Sequence, residues 1–196
     1  ILELPTIEVE ANKWYRLRNV ERQNGTLYLK PEASRFTVGT TNNLENADQL
    51  FSFVETEKEG QYYLYNGNYE LYLGKLGANE TQPEVLTTTT NAATWTIVSA
   101  PNGQSQVINN NNTGSNKGLH LAGDNQRLVP WTTTAPASLW YIEPVESFPV
   151  SVPESGYTTI NLPFAVEMPA DVKAYAAVKE EVIENVECLV IEEVTG

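Results

Sequence analysis

The residues that most often carry chemistry are scarce in this sequence. There is one cysteine, Cys188, and one histidine, His120, among 196 residues. A single cysteine excludes an internal disulfide. One histidine and one cysteine fall short of the several nitrogen or sulfur ligands that a zinc site takes, so no metal is expected. Basic residues are also few, 12 against 25 acidic ones, for a net charge of −13. That balance argues against a nucleic-acid partner, which needs a basic face for the phosphate backbone, and against heparin-like polyanions. No apolar run is long enough for a membrane-spanning helix, so no membrane insertion is expected. Neither a Ser/His/Asp order, a phosphate-cradling loop nor a recognisable carboxylate pair appears. The chain is therefore not expected to be an enzyme or to need a cofactor.

What is present is a repeated beat. Phe51, Trp95 and Trp140 stand 44 and 45 residues apart, in QLFSFVE, ATWTIVS and SLWYIEP. The stretches TLYLK, ELYLG and GLHLA share an apolar–x–apolar core centred on Leu29, Leu73 and Leu121. RFTVG, PEVLT and QRLVP follow them, while YRLRN, YYLYN and QVINN open each unit. Alternation at period 2 between Gly, Asn, Thr and Pro reads as short half-buried strands. Each unit holds four of them. A unit this small cannot bury its own apolar face, so three must close on a shared core. Leu17, Leu27, Leu29, Val38 and Phe51 are expected to point inward, with Phe51, Trp95 and Trp140 filling the largest volumes.

Three four-stranded units, each ending near Q-x-W, resemble the β-trefoil domains of the ricin B-chain lectin family. Gln49-Leu50-Phe51 carries the motif with Phe for Trp; Ala93 and Ser138 replace Gln in the other two units. The resemblance spans residues 13–146. It implies an all-β fold with a β-trefoil and a carbohydrate partner. In that family a carboxylate follows the second strand's core. The positions carried over here are Lys30, Gly74 and Ala122, none of them acidic. The usual galactose geometry is thus not carried at that place.

Other polar and aromatic material lies near it. The third unit has the inserted run Asn109–Gly118, and a Trp outside the strand core, Trp131, after a Pro that cannot donate to a ladder. Asp124 stands two residues beyond the lost carboxylate position. The expected glycan site is therefore Trp131, Asp124, Asn125, His120, Asn109, Asn111 and Asn112. Secondary candidates are Asp48, Gln49, Tyr69, Tyr72 and Asn66, in the first and second units. For each, an ordinary turn amide or a tyrosine covering a small barrel is the plainer reading.

The repeat ends near residue 146. Residues 1–12 read as an extended arm, and the opening ILELPTIEVE carries neither an initiating Met nor a signal-type segment. The expectation is a piece of a longer protein. ESFPVSVPESG reads as a linker, and residues 147–196 as a partial C-terminal β domain, sandwich-like. The segment Gly156–Tyr175 resembles one that recurs near the C-terminus of large secreted or surface proteins of gut Bacteroidetes. That resemblance implies a bacterial chain exported to the periplasm, the cell surface or the medium, with other domains of the same parent as neighbours. The functional expectation is a non-catalytic carbohydrate-binding module. The alternatives are a structural or protein-binding adhesion module with degenerate sugar sites, and an inhibitor acting through an exposed loop.

Overall fold

The computed structural model describes residues 9–32, 35–40, 47–75, 83, 85–99, 106–110, 117–124, 127–160, 162, 167–183 and 186–194. For 106–110, 117, 183 and 186 it describes the backbone alone. Twelve strands form one sheet system: β1 (Trp14–Asn19), β2 (Leu27–Glu32), β3 (Arg35–Thr40), β4 (Phe51–Glu55), β5 (Tyr62–Asn66), β6 (Leu71–Leu73), β7 (Val85–Leu86), β8 (Trp95–Ser99), β9 (Gln106–Asn110), β10 (Lys117–Leu121), β11 (Leu128–Thr132) and β12 (Leu139–Pro144). No α-helix occurs among the described residues, and no helix there is long and apolar enough to cross a membrane.

The pairing closes a ring. β1 pairs β4, β4 pairs β5, β5 pairs β8, β8 pairs β9, β9 pairs β12, and β12 returns to β1, all antiparallel. A closed barrel leaves no unpaired strand edge in the ring. Three hairpins grow from it: β2–β3 joins β1, β6–β7 joins β5, and β10–β11 joins β9. The same four-strand pattern thus occurs three times.

Each strand sends alternate residues to a common interior. In β2, Leu27, Leu29 and Pro31 are buried while Tyr28, Lys30 and Glu32 are half-buried. Leu17, Leu29, Phe36, Phe51, Phe53, Leu64, Leu73, Trp95, Leu119, Leu121 and Trp140 are completely buried. The expected core aromatics Phe51, Trp95 and Trp140 are therefore in the core, in matching positions: each pairs in register with an Asn on the neighbouring strand, Asn66, Asn110 and Asn19. Val9 also packs into this core, and the Asn12 N–H donates to the Phe53 carbonyl at 3.1 Å.

Contacts divide the chain into two compact units, Ile1–Pro163 and Phe164–Gly196. Of the β unit expected after the linker, the described residues supply one antiparallel two-stranded sheet, β13 (Tyr175–Ile183) with β14 (Val186–Glu193), interrupted by a bulge between Ala177 and Lys179.

Candidate functional site

A concave site lies on the third unit, and hairpin β10–β11 forms its floor. His120 faces Val129 and Gly118 faces Trp131 in register, and the Ala122 N–H donates to the Arg127 carbonyl. Side chains alternate along a strand, so His120, Ala122, Arg127, Val129 and Trp131 share one face. Leu119, Leu121, Leu128 and Pro130 take the other face and are buried beneath. β11 pairs only with β10, and as an edge strand it tolerates Pro130. The cavity encloses about 360 Å³ and has all five floor residues in its lining. Ala122, where the lectin resemblance would put a carboxylate, leaves room there for the opening.

Two turns make the walls. One carries Glu21 and Arg22, the other Ala135, Pro136 and Ala137. The first turn contains three successive residues at positive φ, Gln23 (47°), Asn24 (56°) and Gly25 (73°). Asn and Gly occupy this left-handed region at least cost. The buried Asn19 ties both walls together. Its Oδ1 accepts the backbone N–H of Glu21 and Arg22 at 3.2 and 3.0 Å, and its Nδ2 donates to the Ala137 carbonyl at 3.0 Å. Arg22 Nε donates to the Leu121 carbonyl at 3.3 Å, linking wall to floor.

The polar groups are held in defined states. Ser138 Oγ donates to the Thr132 carbonyl at 2.7 Å, and a carbonyl only accepts. The hydroxyl's one proton is thereby committed, so Ser138 Oγ accepts from His120 Nδ1, 2.8 Å away. Nδ1 of the ring therefore carries a proton. The imidazole is only 8% exposed and lies 5.9 Å from the Trp131 ring, inclined at 39°. Trp131 is 42% exposed, unusual for so large an apolar side chain. Asp124 holds Arg127 twice, accepting from its backbone N–H at 3.0 Å and from its Nε. Arg22 pairs with Glu21 at 3.6 Å.

No family model and no curated protein matches the chain. Solved structures do. The Polyporus squamosus lectin bound to the human-type influenza-binding epitope Neu5Acα2-6Galβ1-4GlcNAc superposes with a TM-score of 0.56 at 16% identity, over 70% of this chain and 50% of that one. The BEL β-trefoil superposes with a TM-score of 0.53 at 17% identity, over 74% of this chain and all of that one. The fold is a β-trefoil. A GlcNAcα1-4Gal-releasing endo-β-galactosidase from Clostridium perfringens also matches, with a TM-score of 0.55 at 22% identity, over 69% of this chain and 33% of that one. The present chain thus spans half or less of the Polyporus and Clostridium proteins.

Within the trefoil, the sequence candidates separate. Trp131 and His120 come together in the cavity, and Asp124 positions a cavity residue, Arg127. Asn109 lies in β9 opposite Gly118 and Thr96. Asn111, Asn112 and Asn125 lie outside the described residues. Two secondary candidates need correction, because they face inward. Asn66 is completely buried; its Nδ2 donates to the Asp48 and Leu50 carbonyls at 2.8 and 3.0 Å, and its Oδ1 accepts from the Tyr69 N–H at 3.1 Å. It does for the first unit what Asn19 does for the third. Gln49 is 1% exposed in the turn Ala47–Gln49 before β4. Asp48 accepts from Asn68 Nδ2 at 2.8 Å and Tyr69 is exposed, both at that junction. Tyr72 lies elsewhere, half-buried against Tyr65. The sequence reading missed Arg22, Arg127 and Ser138. Only Ser138 carried a signal, because it stands where the family has the Gln of Q-x-W.

Proposed function

We propose that this chain is a non-catalytic carbohydrate-binding module that takes a glycan in the third-unit cavity. The observation that carries the reading is Trp131: a large ring, exposed, on the floor of a concavity beside hydrogen-bonding groups. The apolar face of a sugar ring stacks on such a side chain, and its hydroxyls meet His120 and the Arg22 and Arg127 guanidiniums. One of the similar structures, the Polyporus squamosus protein, is a lectin by name, which supports a carbohydrate ligand. The endo-β-galactosidase is matched over a third of its length, which suits an accessory module of an enzyme. We place the chain in a larger secreted or cell-surface bacterial protein, on the resemblance of its tail. A glycan array with the parent chain and Trp131→Ala tests the binding site. Binding by the parent that the variant loses supports it, with Kd about tens of micromolar to millimolar for a shallow site burying few ligand atoms. Release of p-nitrophenol from aryl glycosides would overturn the non-catalytic part. The second reading, a protein-binding module with degenerate sugar sites, is favoured by Lys30, Gly74 and Ala122 standing where the family has carboxylates. An array with no bound glycan, and a protein ligand recovered instead, would select it.

A further inference from the structure

A row of aromatic rings crosses the outer face of the barrel, away from the cavity. The register places Trp14 opposite Ser52, Ser52 opposite Tyr65, and Tyr65 opposite Tyr72, on β1, β4, β5 and β6 in turn. Their chain neighbours Tyr15, Phe51, Phe53, Leu64 and Leu73 turn into the core. Ser52 is small and buried, so the rings on either side meet over it. Trp14 and Tyr65 have centroids 6.4 Å apart at 48°, and Tyr65 and Tyr72 4.7 Å apart at 41°. Tyr63, two residues before Tyr65 and so on the same face, meets Tyr72 edge-on at 6.2 Å. All four rings are half-buried. At strand spacings of about 4.8 Å the row is roughly 14 Å long.

The chemistry of the row limits what it fits. Core aromatics here are mainly Phe and Trp, whereas three of the four outer rings are Tyr, whose hydroxyl suits a wet apolar surface. The Tyr65 hydroxyl is pushed above its ordinary pKa, first by burial and then by the nearby Glu70 and Tyr72. Glu70 and a net charge of −13 disfavour an anionic ligand. Strands β1, β4, β5 and β6 are each paired on both sides, so no strand edge is offered for β-augmentation by a protein. Four half-buried rings present on the order of 200 Å² of apolar area, well short of the roughly 800 Å² per partner of a stable protein interface. A sugar chain needs less, since each ring offers a flat C–H face to stack and a hydroxyl rim to hydrate.

We propose that Trp14, Tyr63, Tyr65 and Tyr72 form a second carbohydrate site, one that takes an internal stretch of a neutral β-linked polysaccharide. It does not depend on the cavity reading. The test is affinity electrophoresis of the full chain in gels containing xylan, galactomannan or hydroxyethylcellulose. At least one polymer is expected to retard the parent, and still to retard Trp131→Ala through the row. Tyr72→Ala is expected to lower the apparent affinity at least tenfold, and Tyr72→Phe less than threefold, because the ring stays. Should Tyr72→Ala fail to fold, Tyr63→Ser, at the end of the row, is read in the same way against its melting temperature. No retardation by any polymer overturns the proposal, as does equal retardation of parent and ring-deleted chain. A self-association by sedimentation that Tyr72→Ala abolishes also overturns it, assigning the row to a second copy of the chain. Retardation lost with Trp131→Ala but kept with Tyr72→Ala overturns the row alone and leaves the cavity standing.

Discussion

Single side chains decide whether the cavity exists and what it holds. Asn19 is a buried amide with three backbone partners, two in the first wall turn and one in the second. Replacing it with Ala strands those partners in a buried place, at about 1–3 kcal/mol. Asn19→Ala is thus expected to lower stability in urea melts and to weaken glycan binding together. Trp131→Ala is its counterpart: the ring is 42% exposed, so binding at the cavity should be lost with the melting temperature nearly unchanged. The core tryptophans divide in a similar way. Trp140 Nε1 donates to the Leu119 carbonyl at 2.8 Å, whereas Trp95 Nε1 is buried with no partner among the described residues. Trp140→Phe is therefore expected to cost about 1 kcal/mol more than Trp95→Phe in the same melts, because only the former breaks a buried hydrogen bond.

At the scale of elements, hairpin β10–β11 and the left-handed turn after β1 do most to shape the site. The hairpin owes its two faces to period-2 alternation, with Leu119 and Leu121 inward and His120 outward. The turn depends on Gly25, at φ 73°, where an added Cβ would stand 3.2 Å from the Val20 carbonyl oxygen. Gly25→Ala is expected to cost about 1–2 kcal/mol, the usual penalty of a side chain in that region. Since Glu21 and Arg22 ride on this turn, glycan affinity should fall as well; an unchanged Kd would show that this wall does not touch the ligand.

Over the whole molecule, the barrel's closed ring and shared core set it apart from the later strands. Among the described residues, sheet β13–β14 has two strands, with Val182, Leu189 and Ile191 more than half exposed. An isolated two-stranded sheet is marginal in water. Amides of Tyr175–Ile183 and Val186–Glu193 should therefore exchange with deuterium far faster than those of β4, β5 and β8. Equal protection in both sets, measured by mass spectrometry of peptides, would show that a further layer covers the hairpin.

The sequence by itself determined the threefold beat, the strand class and the core. Those features rest on spacing and alternation, and both are properties of one chain read in order. The 44- and 45-residue intervals between Phe51, Trp95 and Trp140 were enough to place all three in matching buried positions. Trp131 was legible as a ring outside the core because it follows Pro130; the structure keeps both within β11 and turns Trp131 outward by alternation. Asn66 was not legible as buried, nor Arg22 as part of the third unit's cavity. Arg22 lies 98 residues before His120 in sequence and reaches the site only because β12 returns to pair with β1. The aromatic row is of the same kind. Trp14, Tyr65 and Tyr72 become neighbours through the register of four strands, and register is decided by which faces the folded barrel buries.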